Sequence, residues 1–338
     1  MQRRLEPNLI QWFAWLNFDM CALSHPHLLK TGELSGRHRQ RASFPDADPE
    51  FLERKTGMVD PDGCFVWYEL MTADKAAAKA FYADVMGWGA RDPSTRNMTY
   101  ALFTAGNAAV AGLMAFPEAA KEIGAVPRWI GYVGVDDVDA TVEQIKQLGG
   151  AVLVPPKDIP NVSRFSVLAD PETATFGLFK WLSGGPRQAV ELGQPGHVSW
   201  HELLAADAEK AFAFYSRIFG WRKAEAEVGP IGIYQPFSSG GQTTGGIFTK
   251  PATAPFPFWL YYFGVADIDA AAERVRTGGG QILEGPLEIP GGSWVTRCLD
   301  PQGAIFALEG KRSSHPLGYF KRVVAGDPAS ARARRFTG

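Results

Sequence analysis

A segment of 22 residues occurs twice in this 338-residue chain. WYELMTADKAAAKAFYADVMGW runs from Trp67 to Trp88, and WHELLAADAEKAFAFYSRIFGW runs from Trp200 to Trp221, with 11 of 22 positions identical. A second pair follows each copy: WIGYVGVDDVDATVEQIKQLGGAVL from Trp129 and WLYYFGVADIDAAAERVRTGGGQIL from Trp259. A third pair, FSVLADPETATFGLFKW from Phe165 and VTRCLDPQGAIFALEGK from Val295, closes each half. Such self-similarity means that whatever one half folds into, the other repeats.

Each copy opens on an alternating segment, Val66 to Met71 or Val198 to Leu203, which suits a strand with one residue set on each face. Asp74 and Asp207 then stand where a helix N-cap is wanted. Ala77, Phe81 and Val85 recur at i, i+4 and i+8, and Ala211, Phe214 and Ile218 at i, i+3 and i+7, so each helix has one packing stripe. Gly87 and Gly220 fit left-handed C-caps. Val138, Val142 and Ile145, matched by Ile268, Ala272 and Val275, give the second helix of each half its stripe. The Asp-Pro turns lie between paired strands. Each half therefore reads as two strand-helix-strand-strand-strand units.

The boundaries expected are a flexible extension over 1–62, a first domain over 63–182, a Gly/Pro linker over 183–195, a second domain over 196–310 and a basic tail over 311–338. Although two arginines precede an apolar stretch at the start, Asn8, Gln11, Asn17 and Asp19 interrupt it, so it reads as neither a signal peptide nor a membrane span. With a net charge of -2, 46% apolar residues and three dispersed cysteines, the chain is globular. That balance offers no field for nucleic acid or membrane, no disulfide framework and no thiolate metal site, and it fits a cytoplasmic protein.

The strand-Asp-helix segments with Phe81-Tyr82 and Gly87-Trp88, or Phe214-Tyr215 and Gly220-Trp221, and the Asp-Pro hairpins resemble the vicinal oxygen chelate superfamily. This is the glyoxalase, bleomycin-resistance and extradiol dioxygenase fold. The likeness covers nearly all of 63–310 and is similar in detail to tandem two-domain glyoxalase-like proteins. It implies an α+β fold of two tandem domains, each with two βαβββ units forming a curved sheet around a cavity, helices outside. It also implies a small-molecule ligand and a chain that is either a monomer with pseudo-dimeric halves or a homodimer.

A divalent metal (Fe, Mn, Zn or Ni) is common in that family, but its ligand positions fall here on Trp67 and Trp200, on Ile130 and Leu260, and on Phe179 and Glu309. One matched donor is too few for a catalytic ion, so no cofactor is expected in the standard manner. Glu202 with Glu309, helped by His201, is the nonstandard metal and catalytic set the second half offers. His201 nevertheless alternates to the opposite strand face. Trp67, Glu69, Trp200, Glu202 and Trp259 are the candidate ligand-binding residues. For the carboxylates two readings stand, a buried hydrogen bond to a Trp indole, for example, or a ligand-binding or acid/base role. The reading favoured is a protein that binds a small aromatic or hydrophobic molecule without the standard metal triad. The alternative is a metal-dependent lyase or dioxygenase acting on vicinal oxygens in the second domain.

Overall fold

A computed structural model describes residues 62–92, 100–116, 126–182, 193–229 and 232–313. The expected N-terminal extension, apart from Asp62, and the basic tail beyond Ser313 lie outside the described residues.

The first half begins with β1 (Phe65–Thr72), α1 (Lys75–Met86), β2 (Gly89–Arg91), β3 (Tyr100–Ala105) and β4 (Ala108–Ala115). A second unit follows, with β5 (Arg128–Gly134), α2 (Val138–Gln147), β6 (Ala151–Ile159), β7 (Ser163–Ala169) and β8 (Thr175–Trp181). These strands form one sheet in the order β2-β3-β4-β1-β5-β8-β7-β6. Within each unit the first and last strands run parallel, and antiparallel pairing of β1 with β5 joins the two units.

The second half repeats this with β9 (Val198–Ala205), α3 (Ala208–Phe219), β10 (Arg222–Lys223), β11 (Glu227–Gly229), β12 (Gly232–Ser239) and β13 (Gln242–Thr249). Its second unit is β14 (Phe258–Val265), α4 (Ile268–Thr277), β15 (Gln281–Ile289), β16 (Ser293–Leu299) and β17 (Ile305–Gly310). Their order is β10-β12-β13-β9-β14-β17-β16-β15, with β11 added beside β12. The architecture is the α+β pair of curved sheets that the repeat implied.

Capping follows the sequence closely. Asp74 accepts from the backbone N–H of Ala76 and Ala77, and Asp207, Asp137 and Asp267 cap the other helices with side-chain bonds of the same kind. Gly87 and Gly220 take φ of 71° and 68°, where a Cβ would be strained. One detail differs from the helical reading: Ala77 is exposed, and the packed stripe of α1 is Ala78, Phe81, Tyr82 and Val85.

Each sheet has two different faces. The face carrying the helices packs against its counterpart in the other half, so one apolar core spans both and includes Leu70, Tyr82, Trp88, Trp129, Leu203, Tyr215, Trp221 and Trp259. The repeated motifs are spent there. Tyr82 Oη donates to Asp300 Oδ2 at 3.2 Å, and its counterpart Tyr215 donates to Asp170 Oδ2 at 3.0 Å, each crossing between halves. Trp129 Nε1 donates to Tyr82 Oη and Trp259 Nε1 to Tyr215 Oη, both at 3.0 Å. The indoles of Trp88 and Trp221 reach the carbonyls of Gly196 and Gly63 in the opposite half. Buried polar groups are costly unless paired, so these reciprocal bonds fix which surface each half presents to the other.

Candidate functional site

The helix-free face of each sheet has its own apolar cluster. In the first half it gathers Met71, Ile130, Tyr132, Val154, Val167 and Phe179, with Trp67, Met114, Phe165 and Trp181 packed against them. In the second it gathers Leu204, Phe248, Leu260, Tyr262 and Ala307, with Trp200, Tyr234 and Val295 alongside. The period of two along β1 and β9 puts Trp67 with Glu69, and Trp200 with Glu202, on these faces.

A polar relay crosses each face. Trp67 Nε1 donates to Tyr100 Oη at 3.2 Å, and the Tyr100 hydroxyl bonds in turn to Glu69. Tyr132 approaches the same carboxylate at 3.5 Å, the outer limit of a hydrogen bond. The second half repeats the pattern more tightly. Trp200 Nε1 donates to Tyr234 Oη at 2.7 Å, Tyr234 bonds to Glu202, and Tyr262 donates to Glu202 Oε2 at 2.8 Å. Gly112 and Gly246 make room for these tyrosines. A Cβ on Gly112 would meet the Tyr100 hydroxyl at 1.9 Å, and one on Gly246 would meet the Tyr234 ring at 2.2 Å. No larger residue fits at either position without displacing the relay.

The charge balance separates the two faces. Arg297 Nη2 reaches Glu202 Oε2 at 2.8 Å, its Nε donates to Tyr262 Oη at 3.2 Å, and its Nη1 pairs with Glu284 at 2.7 Å. The residue at the matching place in the first half, 130 positions earlier, is Val167. Among the described residues no cation is ion-paired or hydrogen-bonded to Glu69. Burial therefore pushes its carboxyl up to about 7, against the opposing pull of the Tyr100 and Tyr132 hydroxyls. Burial, and after it the charge of the Glu69 carboxylate, holds the hydroxyls of Tyr100 and Tyr132 well above the ordinary tyrosine range.

Several sequence expectations are corrected by this geometry. Trp259 is not on a helix-free face: it is buried in the core between halves, bonded to Tyr215 and set edge-on to the rings of Tyr215 and Trp221. His201 also faces that core. Its Nδ1 lies 2.7 Å from the Thr244 carbonyl, which can only accept, so Nε2 accepts the Tyr68 O–H at 2.6 Å. Burial holds this imidazole down to about 4, neutral and without a free lone pair for a metal. Glu309 is on the helix-free side by alternation, but it stands level with Gly264, whereas Glu202 stands level with Leu260. Four residues of strand, about 13 Å at roughly 3.3 Å each, separate the two levels.

Among the described residues no three His, Cys, Asp or Glu side chains gather where an ion could sit. Trp67, Ile130 and Phe179 in the first half, and Trp200 and Leu260 in the second, supply none of the oxygen or imidazole donors a divalent cation requires. These residues do not fit the group.

Sequence reading missed Tyr100, Tyr132, Tyr234, Tyr262 and Arg297. Tyr132 and Tyr262 occupy the same place in a repeated strand, WIGYV and WLYYF, and that identity was a usable signal. Tyr100 and Tyr234 lie outside the aligned segments.

Two βαβββ units per sheet, with two sheets back to back and a polar relay on each helix-free face, make up a tandem fold of the glyoxalase and dioxygenase type. The chain belongs to the Glyoxalase/Bleomycin resistance protein/Dioxygenase superfamily, whose family model matches residues 65–177 and 194–308. It is 34% identical over 244 residues to CFP32 of Mycobacterium tuberculosis (strain CDC 1551 / Oshkosh), which carries a provisional glyoxylase name; the match covers 72% of this chain and 92% of that one. It is 30% identical over 269 residues to the anthracycline biosynthesis protein DnrV of Streptomyces peucetius, covering 75% and 95%. Among solved structures, the Mn(II)-bound glyoxalase of Novosphingobium aromaticivorans shares the fold at a TM-score of 0.53 and 19% identity, covering 74% of this chain and 82% of that one. No helix among the described residues is long and apolar enough to cross a membrane.

Proposed function

We propose that the protein binds a small aromatic or hydrophobic molecule on its helix-free faces, held by the Trp-Tyr-Glu-Tyr relays and not by a metal. The observation that carries this reading is the composition of those faces: aromatic rings and aliphatic side chains surround a hydrogen-bonded carboxyl in each half, where the family positions for metal donors hold Trp, Ile, Leu and Phe at all but Glu309. Apolar walls supply affinity by desolvation, and a few oriented polar groups supply selection, which is the usual division in small-molecule sites. Similarity to a protein named for anthracycline biosynthesis supports an aromatic ligand.

Calorimetric titration with 9-fluorenone, a flat neutral aromatic ketone, tests the reading. Saturable binding that persists in a chelator and weakens at least tenfold in the Trp67→Ala or Trp200→Ala variant is the expected result. Binding or turnover that appears only after Mn or Fe is restored would replace this reading with a metal-dependent lyase or dioxygenase.

A further inference from the structure

The two free faces have the same relay but not the same electrostatics, and the difference decides what each can accept. On the second face Glu202 is already matched by Arg297, so its charge is neutralised by the protein itself. On the first face the charged and titratable groups that β1 and its neighbours turn toward Glu69 are Tyr100 from β3, Tyr132 from β5 and, at the level of Met71, Arg128 at the start of β5. Strands β7 and β8 contribute Phe165, Val167, Phe179 and Trp181, and β6, the edge strand of the sheet, adds Lys157 level with Phe165. Burial pushes Arg128 down only to about 10, so it stays charged through neutral pH.

Building on the binding reading above, we infer that the first half is a proton-linked site for neutral aromatic ketones or quinones, in which Glu69 takes up a proton as the ligand binds and donates it to the ligand oxygen. The argument rests on placement. A flat apolar molecule lying against Trp67, Phe165 and Trp181, the partly exposed rings of that face, covers the Glu69 carboxyl and removes its remaining water. A carboxylate deprived of solvent and lacking an ion-pair partner among the described residues gains by protonating. The protonated carboxyl has one O–H to give, and a carbonyl oxygen on the ligand can accept it, while Tyr132 continues to donate to the other carboxyl oxygen. An anionic ligand would compete with that carboxyl instead. Since burial already holds Glu69 near 7, the cost of this protonation changes within the neutral range. The second face lacks this behaviour because Arg297 keeps Glu202 paired.

The test is the affinity of the intact chain for 9-fluorenone, and for the charged 9-fluorenone-4-carboxylate, measured at pH 6, 7 and 8. The expected result is binding of the neutral ketone about tenfold tighter at pH 6 than at pH 8, corresponding to one linked proton with a midpoint near 7. Glu69→Gln should abolish that dependence while still binding, because the amide keeps a hydrogen-bond donor at the same place. Glu202→Gln should leave it intact, and the carboxylate should bind the first half more weakly than the ketone. Binding that is equal at all three pH values, or a pH dependence that survives Glu69→Gln, overturns the proton linkage and leaves the binding reading standing. Absence of saturable binding at every pH overturns both.

Discussion

The helix-free faces of the two halves differ at one decisive position. Glu69 and Glu202 occupy the same place on the same strand, each beneath a Trp-held tyrosine and beside a second tyrosine. Glu202 pairs with Arg297, while the first half has Val167 at the position that matches Arg297. Replacing one cation by one isopropyl group leaves the backbone alike and changes the setting of the carboxyl: ion-paired to arginine in one half, and in the other without such a pair and pushed up to about 7 by burial. A duplicated fold can thus hold two chemically distinct sites with its packing core unchanged.

The strongest way to break the comparison is to remove the cation. Glu202 is 6% exposed at its side chain and Arg297 27%, so Arg297→Ala leaves a nearly buried carboxylate without its partner. Such losses cost about 3–5 kcal/mol, and the partial exposure of Arg297 places this one at about 3. Val167→Ala, at the equivalent place, removes only methyl groups and should cost about 1 kcal/mol. Urea unfolding at pH 7 checks both. Equal losses from the two substitutions would show that Arg297 acts by packing and not by charge.

A smaller effect, of opposite sign, sharpens the contrast from the first half. Glu69 titrates near 7 when folded and near 4.5 in an ordinary exposed setting, so between those values the folded chain holds a proton the unfolded chain has released. Folding is therefore favoured by this group below about pH 4.5, and the advantage fades as pH rises to 7. The full difference corresponds to roughly 3 kcal/mol, and the residual exposure of Glu69 reduces it to about 2. Glu69→Gln should therefore stabilise the protein by about 2 kcal/mol at pH 8 and scarcely at all at pH 4.5. A variant less stable than the parent at pH 8 would show that the charged form is well solvated in the folded chain.

Which of these features could be read from the chain follows a physical pattern. Strand periodicity was enough to put Trp67 with Glu69 and Trp200 with Glu202 on one face, and to turn His201 away, because side chains alternate whatever surrounds them. The caps Asp74, Asp207, Gly87 and Gly220 were equally local. The partners were not. Tyr100 and Tyr234 come from neighbouring strands outside the aligned repeats, and Arg297 arrives from 95 residues beyond Glu202. The Phe-Tyr, Gly-Trp and Asp-Pro motifs were visible as repeats, yet their shared purpose is a contact between halves, Tyr82 with Asp300 and Tyr215 with Asp170, that no single half contains. Trp259 was misassigned for that reason: a repeated tryptophan on a strand beside the site was counted with the site, although its parity faces the core.

The smallest expected effect lies where the halves meet. Tyr68 and His201 are the same position in the two repeats, 133 residues apart, and they bond to each other across the junction at 2.6 Å, with Phe65 stacked on the imidazole at 4.2 Å. Two neutral imidazoles that each already donate to a carbonyl would face each other as acceptors, whereas a tyrosine hydroxyl opposite one such imidazole supplies the donor. Tyr68→Phe removes the donor and leaves His201 Nε2 unsatisfied, which should cost about 1 kcal/mol. The sign with pH is set by the imidazole, held near 4 by burial against about 6.5 when unfolded. Below pH 6.5 the unfolded chain takes up a proton that the folded one refuses, so stability is lost as pH falls from 6.5 toward 4, opposite to the contribution of Glu69. Burial causes that shift, so Tyr68→Phe should lower the unfolding free energy by a similar amount at pH 7 and at pH 5. A loss confined to pH 7 would mean that the mutant histidine becomes charged at pH 5, and that the tyrosine hydroxyl, more than burial, keeps it neutral.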